Sequence, residues 1–171
     1  EKGTSVTLLG YDPANKTGGV LSPAANPWGD TDFGNTQAQA FFQEGVDIVI
    51  PIAGGTGIGT FTATKQAQAA GKKVYAIGVD TDQYITAPGF ESVILTSIMK
   101  IIDKAVADAI KGAAAGTLGG TNYVGTIANG GVNIAPFHDL STLVSADLQA
   151  GLDALRAKIA DGSVKVADVL K

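Results

Sequence analysis

The feature that most constrains this chain is the stretch from Val46 to Val79, a strand pattern, a glycine-rich turn, a helix pattern and a second strand pattern in immediate succession. Val46–Ile52 (VDIVIPI) is apolar almost throughout, which marks a strand buried on both faces, as in parallel sheets. Ala-Gly-Gly-Thr-Gly-Ile-Gly-Thr follows, then a helix expected from about Thr60 to Ala70 and stopped by Gly71. Lys73–Val79 (KVYAIGV) supplies the next strand. Strand and helix alternating in this way call for an α/β layer architecture.

The flanking segments extend the same alternation. Val6–Gly10 (VTLLG) reads as a short strand, followed by a loop rich in Gly, Pro, Asn and Asp from Tyr11 to about Asp32. A helix is expected over Asn35–Glu44, with Ala38, Phe41 and Phe42 inward and Gly45 as its C-cap. Val93–Thr96 is a further short strand, and Ile98, Ile101, Ile102, Ala105 and Ile110 recur at helical spacing across Ile98–Ala114. Tyr123–Ile127 and Val132–Ile134 read as strands around the Asn129-Gly130-Gly131 turn. The last helix has Ser145 as its N-cap, a stripe of Leu148, Leu152, Leu155 and Ile159, and Gly162 beyond its end. The expected fold is α/β, a doubly wound and mainly parallel sheet with helices on both faces.

Several function classes fall away on composition. Twelve Lys and Arg against sixteen Asp and Glu give a net charge of −4, and no basic run offers a footprint for nucleic acid. There is no cysteine, so disulfides, thiolate metal sites and cysteine nucleophiles are excluded. The single histidine, His138, rules out paired-His zinc motifs and reads as a surface loop residue rather than a catalyst. No apolar stretch is long enough to span a bilayer as a helix. A chain opening on Glu1 rather than Met reads as a processed product or a piece of a longer protein.

Ligands of open α/β sheets bind beyond the carboxyl ends of the strands, and three distinctive loops leave those ends here. One carries Trp28, the sole tryptophan, among Pro, Gly and Asp; it reads as a ligand-facing aromatic or as a cover for the sheet edge. The second, Ala53-Gly54-Gly55-Thr56-Gly57, lets backbone amides approach a ligand, or simply lets helix and strand pack closely. It matches no phosphate fingerprint: Thr60 stands where a Walker lysine would follow Gly59, and also where the dinucleotide pattern needs its last glycine. The third places Asp80 directly after an apolar strand, as a ligand carboxylate or as the cap of a turn. Together they suit a neutral, hydroxyl-bearing ligand with a flat ring, whose polar groups need partners because an unsatisfied buried group costs about 1–3 kcal/mol.

At AGGTGIGTF, GVDTDQ, VILTSIMK and GTIANGGVNIAPF, four blocks in order from about Val6 to the last helix, the chain resembles the basic membrane protein family of substrate-binding lipoproteins, the PnrA-like nucleoside receptors. The resemblance implies a type I periplasmic-binding-protein fold, two lobes closing on a ligand and delivering it to an ABC importer. It implies that this chain is the C-terminal half, with residues 1–97 and 121–171 forming the second lobe. The helix within 98–120 would pack on the first lobe, or failing that on the chain's own sheet or on a second copy through residues 98–114. By the same resemblance Asp80 is the ribose-binding carboxylate, Lys100 joins it at the ribose, Gly54 contacts the sugar through its backbone, and Trp28 stacks on the base. The family's corresponding loop reads differently around Trp28, and Pro88-Gly89-Phe90-Glu91 lengthens the loop before Lys100.

The implied protein is a solute-binding component without catalysis, cofactor or metal, held by a lipid anchor outside the cytoplasmic membrane, with a nucleoside, an ABC permease and the first lobe as partners. Other readings remain: a binder of a sugar or signalling molecule, the effector domain of a regulator, or a nucleoside-metabolising enzyme. The enzyme would need a nucleophile or acid–base pair near Asp80, where only carboxylates and hydroxyls are available.

Overall fold

The computed structural model describes residues 6–12, 14–15, 17–23, 25–120 and 122–169. The expected lobe boundary at Thr121 lies outside them. Two short strands, β1 (Tyr11–Asp12) and β2 (Thr17–Gly18), pair as an antiparallel hairpin near the start. Then come α1 (Thr31–Gln43), β3 (Ile48–Val49), α2 (Thr56–Ala69), β4 (Tyr75–Asp80), α3 (Gln83–Thr86) and β5 (Ile94–Lys100). After these follow α4 (Ile102–Ala114), β6 (Val132–Ile134), a 3-10 helix (His138–Leu143), α5 (Ala146–Ala160) and α6 (Val166–Val169).

The main sheet has the order β3-β4-β5-β6, parallel across β3, β4 and β5, with β6 antiparallel to β5. This is the α/β class the alternation implied. One face of the sheet holds the core. Phe61 of α2 is buried against Ala76, Val93, Ile94 and Ala87, and a second cluster joins Ala38 and Phe42 of α1 to Ala63 and Val74. The two helices cross closely because Gly34 and Gly59 have no Cβ; a side chain at either would run into the backbone of the other helix. On the opposite face, by strand alternation, Ile48, Ile50 and Ile98 are exposed. No residue of α4 or α5 is buried.

Several boundaries move for identifiable reasons. Val6–Gly10 forms no strand: Val6 and Leu8 are exposed, and the chain turns at Gly10 (φ +80°) into the hairpin. That hairpin occupies part of what reads as loop, turned by Asp12, whose carboxylate accepts from the Ala14 and Asn15 amides. Tyr123–Ile127 is not a strand either. The following turn takes its polar groups instead: Asn129 Oδ1 accepts from Thr126 N–H at 2.8 Å, Asn129 Nδ2 donates to Val124 O at 2.8 Å, and the Thr126 carbonyl accepts from Gly131 N–H at 2.9 Å. β5 is longer than expected because β6 pairs with it from Ile98 to Lys100, so Ile98 belongs to the sheet and the helix starts at Ile102. α1 begins at Thr31, capped by Asp30, whose Oδ1 accepts from Phe33 N–H at 3.0 Å. α5 begins as expected after Ser145, whose Oγ accepts from Leu148 N–H.

Candidate functional site

The parallel strands aim their carboxyl ends at one edge, and the candidate residues gather there in two pairs. The first pair is Asp80, last residue of β4, and Lys100, last residue of β5. Lys100 Nζ lies 2.7 Å from Asp80 Oδ1, with the two side chains 68% and 47% exposed. An ion pair so open to water is worth about 0.2–1 kcal/mol.

Asp80 itself is unusual. Its φ is +70°, and the Thr81 N–H donates to the Val79 carbonyl at 2.9 Å. That closes a three-residue γ-turn of the positive-φ form, which is rare and strained for a residue with a Cβ. Such a conformation costs on the order of 1–3 kcal/mol, more than the exposed pair returns. The pair therefore does not explain the turn as a stabilising device. What the turn accomplishes is to aim the Asp80 carboxylate across to the end of the neighbouring strand.

The second pair is Trp28 and Gly54, in the loops before α1 and after β3. A Cβ at Gly54 (φ +55°) would meet Trp28 O at 3.3 Å and the Trp28 Cβ and Cε3 atoms at 3.6 Å. The positive φ is what favours glycine here, since the indole atoms lie at ordinary contact distance from such a Cβ. Trp28 remains 65% exposed, resting on this loop rather than buried in the sheet. Thr56 clasps the two loops: its hydroxyl donates to Pro27 O at 2.6 Å and accepts from Asp30 N–H at 2.8 Å. Its amide donates to Trp28 O at 3.1 Å. The next amides, Gly57 and Ile58, donate to the Gly54 and Gly55 carbonyls, so the first turn of α2 is closed on itself rather than open as an anion cradle.

Beside these pairs stands a cluster that the sequence did not disclose. His138 Nε2 is 2.8 Å from Asp82 Oδ2, and the imidazole stacks on Tyr84 with centroids 4.0 Å apart and planes at 13°. Tyr84 donates to Asp139 Oδ2 at 2.7 Å, and that hydrogen bond to a carboxylate holds the phenol above its ordinary pKa. His138 is thus a half-buried brace between the 3-10 helix and α3, not the free surface residue expected of it. Its partner lies 56 positions away, and a lone loop histidine carries no local signal of that contact.

A carboxylate beside an ammonium offers adjacent acceptor and donor groups, the complement of two neighbouring hydroxyls. An exposed indole one strand away offers a flat apolar surface.

The chain as a whole is similar to several known proteins. The CD4+ T-cell-stimulating antigen of Listeria monocytogenes is 33% identical over 153 residues, covering 84% of this chain and 42% of that protein. The ABC transporter nucleoside-binding protein BmpA of Lactococcus lactis is 32% identical over 145 residues, covering 79% of this chain and 41% of that protein. A solute-binding protein of an ABC transporter system from Aeropyrum pernix superposes with a TM-score of 0.66 at 26% identity, over 80% of this chain and 44% of that one. A transcriptional activator from Bacillus halodurans superposes at 0.67 with 21% identity, a likeness of fold alone. The chain spans less than half the length of each of these proteins. The family model described as ABC transporter substrate-binding protein PnrA-like matches residues 8–168, and the chain belongs to that family of basic membrane proteins.

Proposed function

We propose that this chain is one lobe of a solute-binding protein that captures a nucleoside, of the purine class, for an ABC importer. The observation that carries this reading is the Asp80–Lys100 pair at the carboxyl edge, 2.7 Å apart and open to water. Asp80 accepts from the two ribose hydroxyls, and Lys100 donates to the same oxygens. Trp28, seated on Gly54, stacks on the base, and the Gly54 backbone meets the sugar. In this reading the protein binds and releases its ligand without catalysis.

The other half of the clamp would come from a first lobe, which also supplies contacts to the base and a surface for α4. A binding protein serving an importer works at the cell envelope, outside the cytoplasmic membrane, where a lipid anchor would keep it near the permease. Among the described residues no helix is long and apolar enough to cross a membrane.

A thermal-shift screen of the full-length protein against nucleosides, free bases, sugars and amino acids tests the proposal. Nucleosides are expected to raise the melting temperature, and ribose or base alone much less, since at a given concentration a ligand of the folded state stabilises it more the lower its Kd. A shift with sugars or amino acids and none with nucleosides would replace this reading.

A further inference from the structure

We propose that Gln83 is a positioning residue for ligand recognition: its side chain holds the γ-turn that presents the Asp80 carboxylate to Lys100. The inference rests on the nucleoside reading for its ligand, but its geometry stands separately. Val79 N–H, on the residue that opens the turn, donates to Gln83 Oε1 at 2.8 Å. The Gln83 amide in turn donates to Ser97 Oγ at 3.0 Å, and Ser97 is fully buried on β5. Gln83 is thus fixed at its backbone to one strand while its side chain grips the end of the next.

The site has been kept clear for this grip. A Cβ at Gly78 would lie 2.5 Å from Ser97 Oγ and 2.7 Å from Gln83 Oε1, so only glycine leaves room for the glutamine to fold back over β4. The start of α3 is braced from outside as well. Asp82 Oδ1 accepts from Tyr84 N–H at 3.2 Å, and Asp82 Oδ2 meets His138 Nε2 at 2.8 Å. Val79 therefore has its carbonyl engaged by Thr81 and its amide by Gln83, and the peptide entering Asp80 has little freedom to rotate. With the amide partner removed, Asp80 has no reason to stay at positive φ and relaxes to an ordinary extended or helical conformation.

The test is a crystal structure and a binding titration of Gln83→Met in the full-length protein, since Met keeps the volume and lacks the acceptor oxygen. Asp80 is expected to leave positive φ and its pair with Lys100 to open. Nucleoside affinity is expected to fall roughly tenfold, the scale of one lost hydrogen bond. Gln83→Glu, which keeps an acceptor oxygen for Val79 N–H, is expected to retain most of the affinity. In an Asp80→Ala background, Gln83→Met is expected to add almost nothing, a coupling that a merely structural residue would not produce. An unchanged Asp80 turn and ion pair in Gln83→Met would overturn the proposal whatever the ligand. If instead the turn relaxes while neither Gln83→Met nor Asp80→Ala alters nucleoside binding, the positioning role stands and the ribose assignment fails. Should Gln83→Met not fold, Gln83→Asn makes the same break by withdrawing the amide by one methylene, and the same outcomes apply.

Discussion

Residues 31–100 and the helices that follow them behave as two different kinds of structure. In the first region α1 and α2 lie on the sheet and on each other, and Phe61, Val93 and Ile94 are wholly out of water. In the second, α4 and α5 are well-formed helices with no buried residue. Ile102, Val106 and Ile110 of α4 lie along one side, 58%, 53% and 64% exposed. Each such side chain forgoes much of the ~1.5–3 kcal/mol that full burial would supply. The contrast teaches that the first region carries its own core, whereas α4 is patterned for a surface that the described residues do not supply. In the proposed two-lobe protein, the first lobe is that surface.

The largest expected effect tests the contrast directly. Phe61→Ala is expected to cost about 3–5 kcal/mol, as for large-to-small changes in a packed core. Ile110→Ala, in a chain of these 171 residues, is expected to change stability by less than ~0.5 kcal/mol, as at an exposed site. Denaturant unfolding of both variants checks this, and equal losses would show that α4 is packed after all.

The next prediction concerns what α4 does when the surface it fits is missing. An apolar stripe left in water promotes association. The 171-residue chain is expected to self-associate in light scattering at micromolar concentration, and Val106→Glu with Ile110→Glu to return it to monomer. A wild-type monomer under the same conditions would mean the stripe needs no partner.

Smaller effects attend the indole. Base stacking contributes about 1–3 kcal/mol and tolerates a change of ring. Trp28→Phe is therefore expected to keep most nucleoside affinity in the full-length protein, and Trp28→Ala to lose it. As Trp28 is the sole tryptophan, nucleoside titration is also expected to move the protein's fluorescence. A spectrum unmoved at saturation would take Trp28 out of the pocket and leave it a cover for the sheet edge.

How far the sequence disclosed this structure depended on whether the deciding contacts were local. Ser145 and the stripe of α5 were legible because a cap and its amide are three residues apart. Asp80 and Lys100 were placed by the motifs around them, and parallel pairing of β4 with β5 brings their ends together. The ends of β5 were not legible, because apolar residues near Ile98 fit a helix as well as a strand, and only pairing with β6 decides. Val6–Gly10 has a strand's composition but pairs with no strand among the described residues. The positive φ of Asp80 was hidden because an aspartate ending a strand ordinarily needs none. The Thr56 clasp reaches back 26 and 29 residues, beyond any local pattern.

The central claim is that Asp80 recognises the sugar of a nucleoside, and calorimetry on the full-length protein with Asp80→Ala tests it most directly. Adenosine binding is expected to weaken by about 1.5–3 kcal/mol, the range for a hydrogen bond to a charged group, while the affinity for adenine stays nearly unchanged. Equal losses for adenosine and adenine, or none for either, would contradict the assignment and remove Asp80 from the ribose site.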